Sequence, residues 1–479
     1  GVVASATTSS ADNDDHDYDG QQDTMSTPTT HNFDETYDVV VIGGGPAGST
    51  TGALTAEAGN KTLILERAVF PRFHIGESLM PETYWVFKRL GMLPKLKDSD
   101  FVKKYSVQFV TATGKESQPF YFDERDPHER SQTWQVLRSK FDEMMLDNAA
   151  EKGATVWQET NVNEVLFEPS ETDDLPKAVG VVVTRKGEPP RRIGAKVVVD
   201  ATGMNALLSK RLGTRKVDPQ LKKASYYAHY KNCVRDPGKN GGATLVLSTK
   251  AGDGWFWYIP LPDGITSVGV VGDLKRLSQL DGTPEQILED EIKGCPGLLP
   301  RMEKAERVGD VHVTSDFSYR SARCAGDGWV LVGDAFGFLD PMYSSGVFLA
   351  LKSGEMAADA INDALASGRP DAVNLSKWGD ELSAGMQTIR KLVYAFYTPG
   401  FSFGKFVMAN PQYKDDVTGV LVGEVFKPDA DALFDPMSAM APIPQSIPLT
   451  PPKALREGIV PTAAMGVAEP EPELASAGA

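Results

Sequence analysis

Tyr37-Asp38-Val39-Val40-Val41-Ile42-Gly43-Gly44-Gly45-Pro46-Ala47-Gly48 is a run of β-branched residues that breaks abruptly into glycine. Four successive β-branched side chains suit a parallel strand buried on both faces. Gly43, Gly45 and Gly48 have the G-x-G-x-x-G spacing, which lets the backbone turn sharply and approach a pyrophosphate at a helix N-terminus; Pro46 and Ala47 belong to the same cofactor-binding turn. A helical run to Ala58 follows, then a second apolar strand, Thr62-Leu63-Ile64-Leu65, ending on Glu66, 23 residues after Gly43. An acid at that place accepts hydrogen bonds from a free ribose hydroxyl and disfavours a phosphate, which suits FAD or NAD. The expected fold class is α/β, with a doubly wound, Rossmann-like nucleotide-binding domain.

Later segments favour FAD. Gln135-Val136-Leu137-Arg138 leads into a helix over 139–150, and Lys196-Val197-Val198-Val199-Asp200-Ala201-Thr202-Gly203 is a further buried strand ending in small residues. Trp329-Val330-Leu331-Val332-Gly333-Asp334-Ala335 delivers an acid outside the carboxyl end of a strand, where ligands sit in such folds. Asp334 is thereby the candidate partner of the FAD ribityl chain, and Arg138 a second cofactor ligand. Trp255-Phe256-Trp257-Tyr258-Ile259-Pro260 adds a different signal. In a strand, side chains at i and i+2 share a face, so Trp255, Trp257 and Ile259 form one wall and Pro260 ends the ladder.

Composition bounds the rest. A chain of 479 residues, 41% apolar and 24% charged, suits two subdomains or one domain with excursions. No stretch of about 18 uncharged apolar residues exists, so no membrane span is expected. The net charge of −16 is concentrated at the ends: residues 1–36 hold eight acidic and no basic residues, and residues 436–479 hold four Glu against Lys453 and Arg456. The body between is mildly acidic, and nothing points to nucleic acid. The leader, 1–36, has neither a basic start nor an apolar core and reads as disorder, not as a signal peptide. Nine prolines in 436–479 give an extended tail that either hangs free or lies along the body. Cys233, Cys295 and Cys324 form no disulfide framework, which fits a reducing, cytoplasmic setting. Six scattered histidines offer no metal cluster. Between the ends, residues 37–376 are expected to form the FAD domain with an interleaved antiparallel sheet, drawn mainly from 100–135 and 220–320, followed by a helical cap over 377–435.

The order of these segments resembles the para-hydroxybenzoate-hydroxylase-like flavoproteins across roughly residues 37–375. Within them, Phe70-Pro71-Arg72-Phe73-His74-Ile75-Gly76-Glu77-Ser78-Leu79-Met80-Pro81, the Trp-x-Trp-x-Ile-Pro hexapeptide and Asp340-Pro341-Met342-Tyr343-Ser344-Ser345-Gly346-Val347 resemble the flavin-dependent halogenases, in the branch acting on phenols and pyrroles. The resemblance implies an enzyme of secondary metabolism that uses reduced FAD, dioxygen and chloride or bromide to make hypohalous acid. That acid travels through a tunnel to a lysine beside an electron-rich aromatic substrate, free or tethered to a carrier protein. It further implies that Trp255, Trp257, Ile259 and Pro260 lie along that passage and that Arg72 sits in a loop wrapping the flavin.

The family lysine maps onto Lys104 in Phe101-Val102-Lys103-Lys104-Tyr105-Ser106-Val107-Gln108-Phe109. Alternation places Lys103 on one face and Lys104, Ser106 and Gln108 on the other. The halide is implied at Ser345 and Gly346, where small residues open a helix running to about Ala366 and bring unpaired backbone N–H groups and the helix dipole to bear on an anion. Tryptophan halogenases carry Glu where this chain has Tyr343, which disfavours free tryptophan as substrate. His74 and Glu77 are read as parts of the flavin loop, not as an acid/base pair, with Glu77 holding the cofactor or coupling the two sites. No second nucleotide fingerprint is present for NADPH, so a separate flavin reductase is expected. The alternatives are a geranylgeranyl-reductase-like enzyme, a single-component FAD monooxygenase, or a non-catalytic flavin-binding scaffold.

Overall fold

The computed structural model describes residues 31–315 and 317–458, and the β-branched run forms its central strand. Glu35–Ile42 pairs in parallel with Arg191–Asp200 on one side and Thr62–Leu65 on the other. Trp329–Leu331 and Thr155–Trp157 extend the parallel order outward. Val39, Val40 and Val41 are fully buried, as a strand covered on both faces requires. In this register Ile42 lies beside both Leu65 and Asp200, so the glycine turn, Glu66 and the turn after Asp200 converge at one edge. Two further strands, Thr160–Glu168 and Lys177–Arg185, add an antiparallel extension through Arg191–Asp200.

Pro46–Glu57 and Ser345–Ala366 are the helices that meet over this sheet. Glycine makes their close approach possible: a Cβ on Gly354 would lie 2.8 Å from the Ala47 carbonyl oxygen, and Thr51 Oγ1 donates to the Gly354 carbonyl at 3.3 Å. The helix expected over 139–150 is Arg138–Glu151, so Arg138 is its first residue and not a preceding one.

The second sheet has seven strands, in the order Glu306–Ser315, Lys223–Lys231, Thr266–Asp273, Gly254–Pro260, Thr244–Ser248, Ser106–Val110 and Phe120–Tyr121. It is antiparallel except between Thr244–Ser248 and Ser106–Val110, which run parallel. Residues 101–109 do not form one strand. They divide at Tyr105 into Val102–Lys104, which pairs with Thr133–Gln135, and Ser106–Val110, which joins the large sheet. Alternation survives the division: Lys103 is exposed, whereas Lys104, Ser106 and Gln108 are buried.

After residue 377 come the helices Gly379–Phe396, Phe403–Ala409 and Lys414–Val422. The tail, as far as Gly458, lies along the body: Arg390 donates to the Gln445 carbonyl at 3.1 Å, and Thr450 N–H to the Ala322 carbonyl at 2.8 Å. The rest of the tail and most of the leader fall outside the described residues. No helix among the described residues is long and apolar enough to cross a membrane, and none of their His, Cys, Asp and Glu side chains gather into a metal site.

Candidate active site

A cavity of about 490 Å³ is lined both by residues at the carboxyl edge of the parallel sheet and by residues of the antiparallel one. Its nucleotide end is built from backbone. Gly43 sits at φ +111°, and a Cβ there would meet the Ala201 carbonyl oxygen at 2.4 Å. A Cβ on Gly48 would lie 2.0 Å from the Gly43 carbonyl oxygen. Glu66 accepts the N–H groups of Gly44 and Ala68, both at 2.8 Å, so this acid fixes the turn.

Two arginines share one buried carboxylate beside this end. Arg138 binds Asp142 through Nε at 2.6 Å and Nη2 at 2.9 Å, and Arg72 Nη1 reaches the same side chain at 2.7 Å. Burial favours the neutral acid, but Arg138 and then Arg72 hold the Asp142 carboxyl below the usual range. Arg138 Nη1 also donates to the carbonyls of Ile75 and Gly76, which anchors the loop over 70–81 against the cavity. Asp334 faces the cavity with no hydrogen bond to its carboxylate among the described residues, and burial pushes it up to about 6 against the pull of Arg138. A glycine cradle that no side chain could enter, a buried acid bonded to its backbone and a cavity-facing carboxylate with no hydrogen bond among the described residues together fit FAD.

The far end is the tryptophan wall. Trp255, Trp257 and Ile259 line the cavity from one face of Gly254–Pro260, while Phe256 and Tyr258 pack into a separate core on the other. The two indoles are 6.3 Å apart, and Trp257 Nε1 is held by Ser267 Oγ at 3.1 Å. Trp255 Nε1 donates to Tyr397 OH at 3.0 Å, and that hydroxyl donates to Asp340 Oδ2 at 3.1 Å. Asp340 Oδ1 accepts Met342 N–H at 2.9 Å, so the wall and the Pro341–Tyr343 turn are tied together through one buried carboxyl, pushed up to about 7 by burial. Next in the chain, Ser344 adopts a left-handed conformation (φ +56°) and makes no capping bond, so its side chain leaves the first N–H groups of Ser345–Ala366 uncapped. Gly346 lines the cavity; Ser345 is buried behind it.

Lys104 lies beyond the cavity, not in bulk water. Only 2% exposed, its Nζ donates to Ser78 Oγ at 2.8 Å and to the Leu79 carbonyl at 2.9 Å, with the Phe122 ring centroid 5.6 Å away. No carboxylate pairs with it among the described residues. Burial alone pushes the ammonium down to about 7. Unfolded, the amine returns to about 10.4, so between these values the unfolded chain holds a proton that the folded one lacks. The sign is therefore that stability from this site rises with pH, by up to about 1.4 kcal/mol per unit. Urea unfolding of wild type and Lys104→Met between about pH 7 and 9 is expected to show a difference that grows steadily in favour of wild type.

Of the predicted residues, Gly43, Gly45, Pro46, Ala47, Glu66, Arg72, Arg138, Asp334, Gly346, Trp255, Trp257 and Ile259 line the one cavity, whereas Gly48, Pro260, Ser345 and Lys104 stand behind its surface. His74 and Glu77 do not meet. His74 Nδ1 accepts the adjacent Ile75 N–H, while Glu77 Oε1 is 2.6 Å from His229 Nε2 on the Lys223–Lys231 strand. Glu77 Oε2 is buried without a partner. Asp142, His229 and the bond between Tyr397 and Asp340 were not anticipated; only Asp142, four residues after Arg138 on one helix, carried a spacing signal.

These features define a flavin-dependent halogenase, and the tryptophan halogenase family profile matches residues 38–129 and 110–400. The chain belongs to that family. It is 31% identical over 436 residues to the 1H-pyrrole-2-carbonyl-[peptidyl-carrier protein] chlorinase of Pseudomonas fluorescens, spanning 87% of this chain and 95% of the relative. It is 33% identical over 395 residues to the corresponding brominase of Pseudoalteromonas luteoviolacea, spanning 82% and 93%. Among solved structures, the flavin-dependent brominase Bmp2 superimposes with a TM-score of 0.73 at 32% identity, covering 84% of this chain and 97% of that one. The family supplies FAD as cofactor and halide as co-substrate.

Proposed function

We propose that this enzyme halogenates a pyrrole or phenol ring and that Lys104 presents the oxidised halogen to it. The carrying observation is a lysine amine with no acidic partner, buried one hydrogen bond behind the cofactor cavity. Reduced FAD, when bound, would activate dioxygen, which takes two electrons from the flavin and two from the halide to give hypohalous acid and water. The chain's own residues do the rest. Gly43, Gly45 and Glu66 hold the dinucleotide and Asp334 the ribityl chain. The uncapped start of Ser345–Ala366, at Ser345 and Gly346, concentrates positive potential for the halide. Trp255, Trp257 and Ile259 exclude bulk water and keep organic substrate off the flavin. With its amine near 7, Lys104 has both protonation states available: the ammonium donates a hydrogen bond to hypohalous acid, and the free amine accepts halogen on nitrogen.

Tyr343, in place of the acid of tryptophan-acting enzymes, argues against free tryptophan. The two pyrrole-acting relatives favour a pyrrole carbonyl tethered to a carrier protein, and the single nucleotide fingerprint of the sequence favours reduced FAD delivered by a separate flavin reductase. Three unpaired cysteines support placement in the cytoplasm. Incubation with a flavin reductase, NADH, FAD, air, chloride or bromide, and either pyrrole-2-carbonyl carrier protein or free phenols is expected to add halogen mass to the tethered pyrrole. Halogenation of free phenols alone would reject the tethering, and halogen on neither substrate would reject the reading.

A further inference from the structure

The cavity surface ends at Ser78 and Thr244, and Lys104 begins immediately behind them. Lys104 Nζ donates to Ser78 Oγ; Ser78 Oγ and Thr244 Oγ1 are bonded at 2.8 Å; Gln135 Nε2 donates to Thr244 Oγ1 at 2.8 Å and to the Gly242 carbonyl at 3.0 Å. All four side chains are buried. The framework is rigid, because Ser78 and Gln135 are bridge partners, Gln135 closes the Thr133–Gln135 strand and Thr244 opens the Thr244–Ser248 strand. One acceptor in this group is unused: Gln135 Oε1 is fully buried with no partner. A buried acceptor left bare is costly and calls for an explanation, of which a small guest that donates to it is one.

We propose that Ser78 and Thr244 are the gate between the cofactor cavity and Lys104, passing hypohalous acid by parting their mutual hydrogen bond, with the Gln135 carbonyl oxygen accepting its O–H on the far side. The inference rests on the halogenase reading above. The guest must be small, because the opening is one hydrogen bond wide. It must be neutral and polar, because hydroxyls rotate to serve as donor or acceptor for such a molecule, whereas an anion would be stripped of water between two uncharged hydroxyls. No covalent bond changes during passage. Ser78, Thr244 and Gln135 are positioning residues.

The test is the fate of oxidised halogen. With reduced FAD, air, chloride and substrate, the ratio of halogenated product to hypohalous acid captured in solution by a thioether is measured for wild type, Thr244→Leu and Thr244→Ser. Leu is expected to lower the ratio at least tenfold at unchanged total oxidation and unchanged bound-flavin spectrum, and Ser to behave as wild type. An unchanged ratio in Thr244→Leu overturns the gate; no oxidised halogen from wild type in either pool overturns the halogenase reading and the gate with it. Should Thr244→Leu bind FAD poorly, Ser78→Thr narrows the same opening. Independently of turnover, carbamoylation by isocyanic acid, a neutral reagent of similar size, is counted by mass spectrometry at Lys104 against exposed Lys103. In FAD-free Thr244→Leu the Lys104 to Lys103 ratio is expected to fall at least tenfold, and equality with wild type overturns the gate.

Discussion

Lys104→Met is expected to lower halogenated product by about 10³-fold, the scale of losing a positioned proton-transfer or charge-stabilising group, while FAD binding stays within about twofold of wild type. The substitution separates chemistry from folding. Met follows the path of the lysine stem, so no large cavity forms, and the protein no longer buries an amine whose charged form is disfavoured there. Against that, the Leu79 carbonyl and Ser78 hydroxyl each lose a donor, a penalty of about 1–3 kcal/mol for a buried group left bare. Near pH 7 these effects oppose each other, so loss of product with an intact flavin spectrum locates the defect at the amine. Oxidised halogen is expected to escape instead to a thioether in solution; its disappearance along with product would show that Lys104 acts earlier than proposed.

The wild-type pH profile discriminates between the two roles open to this amine. If the free amine takes halogen onto nitrogen, product formation rises as pH passes about 7; if the ammonium donates a hydrogen bond, it falls over the same range. Lys104→Arg sharpens the choice, because guanidinium stays protonated at every accessible pH and has no free amine to offer. Retained activity in Arg would select the donor role.

What the sequence disclosed about this site follows from how local each signal is. The glycine turn was legible because Gly43 and Gly48 crowd neighbouring backbone so closely that no other residue fits. The tryptophan wall was legible because strand alternation is a local rule, and Lys104 was separable from Lys103 on the same ground. The gate was not legible: Ser78 and Thr244 lie 166 residues apart in the chain, and Thr244 opens a strand that runs parallel to Ser106–Val110 where an antiparallel sheet was expected. Glu77 pairs with His229 and not with nearby His74, because the loop turns Glu77 toward the second sheet. The Trp255–Tyr397–Asp340 chain likewise joins three elements that share no spacing. Long-range hydrogen bonds between single residues leave no periodic trace, and these are the contacts that join the cofactor cavity to its surroundings.

Asp142 is where such a contact is expected to matter most for the fold. Asp142→Ala leaves Arg138, itself 4% exposed, and Arg72 without their shared carboxylate, the situation in which breaking a buried ion pair costs about 3–5 kcal/mol. The same guanidinium of Arg138 holds the carbonyls of Ile75 and Gly76, so its displacement frees the loop that closes the cavity. FAD affinity is therefore expected to fall by an order of magnitude or more, as about 1.4 kcal/mol of the loss transmitted to binding already gives tenfold. Asp142→Asn keeps the shape without the charge and reads the electrostatic part alone. Because the folded carboxyl is held below its unfolded value of about 3.9, its stabilisation is fully present above that pH and is lost as pH falls through the folded value. The difference in urea stability between wild type and Asp142→Asn is then constant from neutrality down to about pH 4 and shrinks below it. A difference that instead persists unchanged into stronger acid would mean that the arginines are held by shape and not by charge.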